Sequence, residues 1–270
     1  MEDCWHAGVR ARDGEPGRPI VSWDYGRLVA EVYELDKPVG SSFPGLRYYT
    51  RQLAGVTGRI LEPATGTGRV LVPLLEAGFA VEGLDVSPDM LAVCRQHCQD
   101  RGLDPVLREA DMTTFAEPGA YQAIIIPAGS IMLLDGRDAV PRALSAFRES
   151  LSSGGRLILD VGVPELITGS APMRCWERDP YLWTLQDMRT VYDPVANQTT
   201  SFLRYEKWRD GGLVATELQR FRLQYWSLTE FERLLVDAGF TDINVTADYR
   251  DDHRPRPDSE AWTFHAIRPR

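Results

Sequence analysis

Residues 59–69, Arg59-Ile60-Leu61-Glu62-Pro63-Ala64-Thr65-Gly66-Thr67-Gly68-Arg69, lead from an apolar run through an acid into a glycine-rich turn. The segment that follows, Val70 to Gly78, has apolar residues at helical spacing and stops at a glycine, so the turn joins a buried strand to a helix N-terminus. In an open parallel sheet, ligands bind beyond the carboxyl ends of the strands, where small residues let backbone come close. A carboxylate at Glu62 suits an ammonium group or ribose hydroxyls and repels a pyrophosphate. The Gly-x-Gly-x-x-Gly of dinucleotide-binding turns needs a third glycine where Leu71 stands, and no Gly-Lys-Ser/Thr follows to cradle phosphates.

Outward from this turn, other strand ends repeat the pattern. Ala80-Val81-Glu82-Gly83-Leu84-Asp85 is a second strand closed by an acid, at the distance where nucleotide-binding α/β folds hold a ribose diol. Ser87 and Pro88 already supply the cap and first residue of the next helix, which leaves Asp85 free for the ribose. Residues 106–112 read as a short strand followed by Asp111 and Met112, and 121–126 as a strand buried on both faces. A helix over 138–151 and a strand over 156–161 continue the alternation, which predicts a parallel, doubly wound α/β sheet.

The first motif resembles that of the class I S-adenosylmethionine-dependent methyltransferases of small-molecule type: an acid, a spacer and Gly-x-Gly-x-Gly, with Ala64 replacing the first glycine. The resemblance covers 59–161 well and 227–270 in outline. It implies a mostly parallel seven-stranded sheet of Rossmann-like methyltransferase type, its last two strands (242–247 and 261–267) antiparallel at one edge. The implied cofactor is S-adenosyl-L-methionine, with Glu62 near its ribose or amino-acid end and Ala64, Gly66, Thr67 and Gly68 giving close approach. Asp85 takes the ribose diol, flanked by Val86 and Met90; Asp111 accepts from the adenine amine while Met112 covers the ring; Ile126 ends the fourth strand beside them. By the same resemblance, helices over 24–35 and 45–53 form a lid in which Tyr25 or Tyr33 bonds the methionine carboxylate and Tyr25, Tyr48 or Tyr49 faces the acceptor. Packing of these rings on the sheet is the other reading of all four.

Between 173 and 226 the helical period gives way to extended segments (188–192, 199–208 and 213–225), an inserted antiparallel meander whose last two strands form a hairpin. Its rings, Trp183 and Tyr225 among them, either roof the acceptor pocket or make a homodimer contact. They suggest a flat, aromatic or heteroaromatic acceptor such as an indole or phenol of secondary metabolism. Pro127-Ala128-Gly129-Ser130 lacks the Asn/Asp-Pro-Pro-aromatic sequence used on nucleobase amines.

Composition narrows the partners. With 39 acidic and 30 basic residues in 270, the net charge of −9 gives no footprint for nucleic acid. No apolar run reaches the roughly 20 residues of a membrane span, so a soluble, cytoplasmic protein that works on a small molecule is expected. Residues 1–22 read as a flexible tail and 23–270 as a single methyltransferase domain. Cys94, His97 and Cys98 fall on one helix, but three ligands without a fourth read as core packing rather than a metal site. Neither His253 nor His265 has a catalytic context, and no general base stands out. Three functions stay open: methyl transfer at N, O or C of a small acceptor, another reaction on the same bound cofactor, or a non-catalytic cofactor-binding role.

Overall fold

The computed structural model describes residues 25–41, 43–163 and 172–270; the expected tail lies outside them. In chain order the elements are α1 (Arg27–Asp36), α2 (Pro44–Gln52), β1 (Ile60–Pro63), α3 (Leu71–Glu76), β2 (Val81–Asp85), α4 (Pro88–Gln99), β3 (Leu107–Glu109), β4 (Tyr121–Ile126), a 3-10 segment Pro127–Leu133, α5 (Ala139–Ser150) and β5 (Leu151–Gly162). Four strands follow, β6 (Arg174–Arg178), β7 (Tyr181–Asp193), β8 (Gln198–Arg209) and β9 (Gly212–Gln224), then α6 (Leu228–Asp237), β10 (Thr241–Ala247) and β11 (Ala261–Ile267).

The larger sheet has seven strands in the order β10-β11-β5-β4-β1-β2-β3. Neighbours from β5 to β3 are parallel, and β11 runs antiparallel to both β5 and β10. The order reverses between β1 and β4, which opens a crevice above their carboxyl ends. Strand β1 is buried throughout because helices cover both faces. Val140, Leu144 and Phe147 of α5 pack with Phe231 and Leu235 of α6 on one side. On the other, Tyr49 and Leu53 join Leu71 and Leu74 of α3 and Cys94 and Cys98 of α4. The cysteines are core side chains, and among the described residues no cluster of His, Cys, Asp or Glu could hold a metal.

The two ends of the sheet differ in their charge balance. At the amino end, Glu82 takes Arg59 at 2.6 Å and Arg108 at 2.5 Å, while Arg59 also reaches Glu117 at 2.9 Å. At the carboxyl end, Glu62 has no basic partner among the described residues.

The second sheet is the meander, in order β6-β7-β8-β9. Asp210 and Gly211, both at positive φ, make the two-residue turn between β8 and β9, the geometry that matches strand twist in a hairpin. Strand β6 went unanticipated and β7 starts at Tyr181, earlier than expected, because β6 is exposed on both faces and carries no apolar alternation. Likewise β5 begins at Leu151, directly after α5, rather than at residue 156. Among the described residues no helix is long and apolar enough to cross a membrane.

Gly68 links the glycine-rich turn to α4. It holds φ +86°, and a Cβ there would stand 2.8 Å from Cys94 Sγ and 3.0 Å from Val72 Cγ2. Gly66, at φ +56°, has open space instead. We therefore expect Gly68→Ala to cost about 2–3 kcal/mol and Gly66→Ala about 1 kcal/mol, read as a shift in the urea midpoint.

Candidate functional site

A cavity of about 410 Å³ opens over the carboxyl ends of β1, β2 and β4. Two contacts position α1 beside it. Gly26, at the N-cap, has no side chain with which to cap the helix, and Glu217 of β9 accepts instead from Leu28 N–H (3.1 Å) and Val29 N–H (3.2 Å). Ser87 accepts from Met90 N–H, capping α4, and donates its hydroxyl to the Tyr25 carbonyl at 2.8 Å. Tyr25 and Tyr33 thereby reach the cavity wall, and burial raises both phenols above their ordinary range. Replacing Glu217 with alanine should cost about 1–2 kcal/mol, the worth of a helix cap, and a thermal melt will measure it.

Asp85 lies on the wall at the end of β2, its oxygens accepting from Gly66 N–H (2.8 Å) and Ser87 N–H (2.9 Å). A carboxylate offers about four lone pairs, so both oxygens can still accept a pair of hydroxyls. Desolvation raises its pKa, opposed by these backbone donors. Glu62 is buried at the end of β1, and among the described residues its Oε2 has no partner. Burial lifts its carboxyl well above the usual range, with the charge of Asp85 adding to the effect. The hydroxyls of Thr65 and Thr67 are likewise buried without partners. These unpaired polar atoms beside a glycine turn fit a group that brings an ammonium and hydroxyls. Val86, Met90, Ala110, Asp111 and Met112 extend the wall into a mixed apolar and acidic slot, which suits a flat base with an exocyclic amine.

Of the residues expected at the cofactor, Tyr33, Ala64, Gly66, Asp85, Val86, Met90, Asp111 and Met112 line the cavity. Glu62 lies behind its wall, within Coulombic range of Asp85 and Tyr33. Thr67 and Ile126 are fully buried, and Gly68 packs on α4; none of the three forms the wall.

The acceptor side needs more correction. Only Tyr25 of the five rings expected there lines the cavity. Tyr48 is buried, with its hydroxyl 2.6 Å from Thr246 Oγ1 and 2.5 Å from His265 Nε2. Tyr49 is buried in the core against α3 and α4. Trp183 belongs to the apolar layer that joins β7 to Leu28, Val29 and Val32 of α1, and its indole donates to Glu31 at 3.2 Å. Tyr225 packs with Phe231 and Phe264 in the core of the large sheet. Aromatic rings are large and apolar, so burial claimed them first. His265 is held neutral in that packing, its pKa pushed down to about 4 by burial.

Phe221, one of the meander rings read as a possible roof, also lines the wall, and residues not anticipated complete it: Ser130, Leu133, Leu134 and Asp135 from the segment after β4, and Gln219, Arg220 and Arg222 from β9. Ser130 belongs to the tetrapeptide read at the end of β4. The β9 residues carry no motif, and only the return of the meander over the crevice identifies them.

Comparison with known proteins bears on the family and the fold. Residues 60–155 match the methyltransferase domain family. The chain is 26% identical to a methyltransferase of Geobacillus sp. (strain WCH70), over 82% of this chain and 87% of that protein. It is 31% identical to a glycine/sarcosine N-methyltransferase of Parasynechococcus marenigrum, over 72% of this chain and 66% of that one. Among solved structures it resembles an S-adenosylmethionine-dependent methyltransferase from Clostridium acetobutylicum, with a TM-score of 0.72, 15% identity, and coverage of 89% and 98%.

Proposed function

Because the chain belongs to the class I S-adenosylmethionine-dependent methyltransferases, we propose that it methylates a nitrogen of a small molecule received under the β9 roof. The observation that carries this reading is one cavity walled at one end by Asp85, Asp111 and Met112 and at the other by Ser130 and residues 219–222. The name of the glycine/sarcosine relative supports nitrogen as the atom attacked.

Asp85 would hold the ribose diol, Asp111 and Met112 the adenine, and Glu62 with the Gly66 turn the amino-acid end, Tyr33 standing nearby. The bound cofactor supplies an electrophilic methyl on a sulfonium. The rest is positioning: an in-line displacement gains most from holding acceptor and methyl collinear and from excluding water. Tyr25 and Tyr33, whose phenols burial keeps protonated, can donate hydrogen bonds to the acceptor and cannot take its proton. Asp135 is ion-paired with Arg222 at 2.5 Å, and among the described residues no histidine lines the cavity. The acceptor must therefore arrive as the free amine. Its methylation rate should rise with pH and level off above the amine's own pKa; a rate governed by an enzyme group near neutrality would contradict this.

An aromatic acceptor is the second reading, favoured by Tyr25, Tyr33 and Phe221 on the wall. Incubation with labelled S-adenosylmethionine and matched aliphatic and aromatic amines separates the two. Release of S-adenosylhomocysteine with no amine accepted would count against both. A homodimer through the meander is also proposed, on the strength of the exposed Leu182, Leu213, Val214 and Leu218 on its strands; a monomer by light scattering would refute it.

A further inference from the structure

We infer that the acceptor carries an oxyanion group, a carboxylate or phosphate ester, received by the guanidinium of Arg220 at the roof end of the cavity. This rests on the methyl-transfer reading above and adds the class of acceptor to it.

The charged groups on the wall are Asp85, Asp111, Asp135, Arg220 and Arg222. Asp85 and Asp111 stand at the nucleoside end, and Asp85 is already engaged by two backbone N–H groups. At the roof end Asp135 and Arg222 neutralise one another. Arg220 remains. Among the described residues it makes no ion pair or hydrogen bond, and its Nε is buried without a partner.

Three other basic side chains of the meander are held by acids. Arg204 meets Glu206 at 3.1 Å, Lys207 meets Glu31 at 2.7 Å and Arg174 meets Asp36 at 2.8 Å. In a chain with 39 acids to 30 bases, carboxylates are plentiful, and a guanidinium on a cavity wall with none beside it is an unfilled site. Buried donors normally find acceptors. Strand β9 is the edge of its sheet, so its margin rather than one face borders the cavity, and residues 219 to 222 reach the wall in succession. A planar guanidinium with five donors matches a carboxylate or a phosphate in two-point contact.

The test is calorimetric titration of inorganic phosphate and, separately, acetate into the full-length protein, with and without saturating S-adenosylhomocysteine. The wild type is compared with Arg220→Gln and Arg220→Lys. At least one anion should bind the wild type with a Kd of about 1–10 mM, weaken about tenfold or more in Arg220→Gln, and be partly retained in Arg220→Lys. Preference for phosphate assigns a phosphate-ester acceptor, and preference for acetate a carboxylate. The inference is overturned if neither anion binds the wild type, or if Arg220→Gln binds as well as the wild type does. Unchanged S-adenosylhomocysteine affinity in the variants excludes misfolding as the cause. A wild type that binds the anion but not S-adenosylhomocysteine would sink the methyl-transfer reading while leaving the anion site standing.

Discussion

Replacing Asp85 with alanine is expected to weaken binding of S-adenosylhomocysteine by about 10²–10³-fold, since two hydrogen bonds to a charged acceptor contribute together about 3–4 kcal/mol. Two losses combine. The ribose hydroxyls lose their acceptor, and the N–H groups of Gly66 and Ser87, held at 2.8 and 2.9 Å, lose the atom that fixes the glycine turn and the start of α4 together. Asparagine restores only one accepting oxygen and presents its amide hydrogens to the other N–H, so Asp85→Asn should recover little. Calorimetry on both variants is decisive: affinity within threefold of wild type in Asp85→Ala would remove the ribose from this position. The global fold should survive, because Asp85 ends a strand whose pairing with β1 and β3 does not use its side chain.

Asp160 should show the largest effect on stability. It lies 1% exposed near the end of β5 and accepts from Ala128 N–H (2.7 Å), the Thr263 hydroxyl (2.7 Å) and the Tyr249 hydroxyl (3.0 Å). Ala128 is at φ 56°, a conformation an alanine adopts at a cost. The carboxylate thus pins the strained turn that carries Ser130 to the cavity wall. The hydroxyls can rotate to other partners in Asp160→Ala, but the N–H cannot, and we expect a loss of about 3–5 kcal/mol and a Tm lower by about 10 °C.

The same residue makes stability depend on pH. Burial raises its carboxyl from the ordinary 3.8 to about 6, against the pull of its hydrogen-bond donors. The folded state therefore holds this proton more tightly than the unfolded chain does. The stabilisation is complete below about pH 4 and is lost as pH rises to about 6, with a magnitude on the order of 3 kcal/mol. Urea midpoints measured from pH 4 to 7 should decline through this window in the wild type relative to Asp160→Asn, in which no charge develops. Parallel profiles for the two proteins would refute the assignment.

The local signals behind the sheet were strong. Glu62 and Asp85 each close a short strand and Asp111 follows one, and Ser87-Pro88 and Ser227-Leu228-Thr229-Glu230 are complete helix starts; the latter forms its capping box in the structure. Such features depend on residues within a few positions of one another, so they can be read without knowing the fold. The side chain that caps α1 could not be, since Glu217 lies 189 positions from Leu28.

The sequence by itself determined the alternation of strand and helix that makes the doubly wound sheet, because strand periodicity and the acid after a strand are set by neighbouring residues; the antiparallel edge followed only from the family resemblance. Tertiary structure alone decided the acceptor end. Tyr48, Tyr49, Trp183 and Tyr225 went to apolar cores, leaving the cavity wall to Ser130, Phe221 and Arg220. Burial rewards a large ring wherever two layers meet, and which layers meet is settled only when the meander folds back across the crevice.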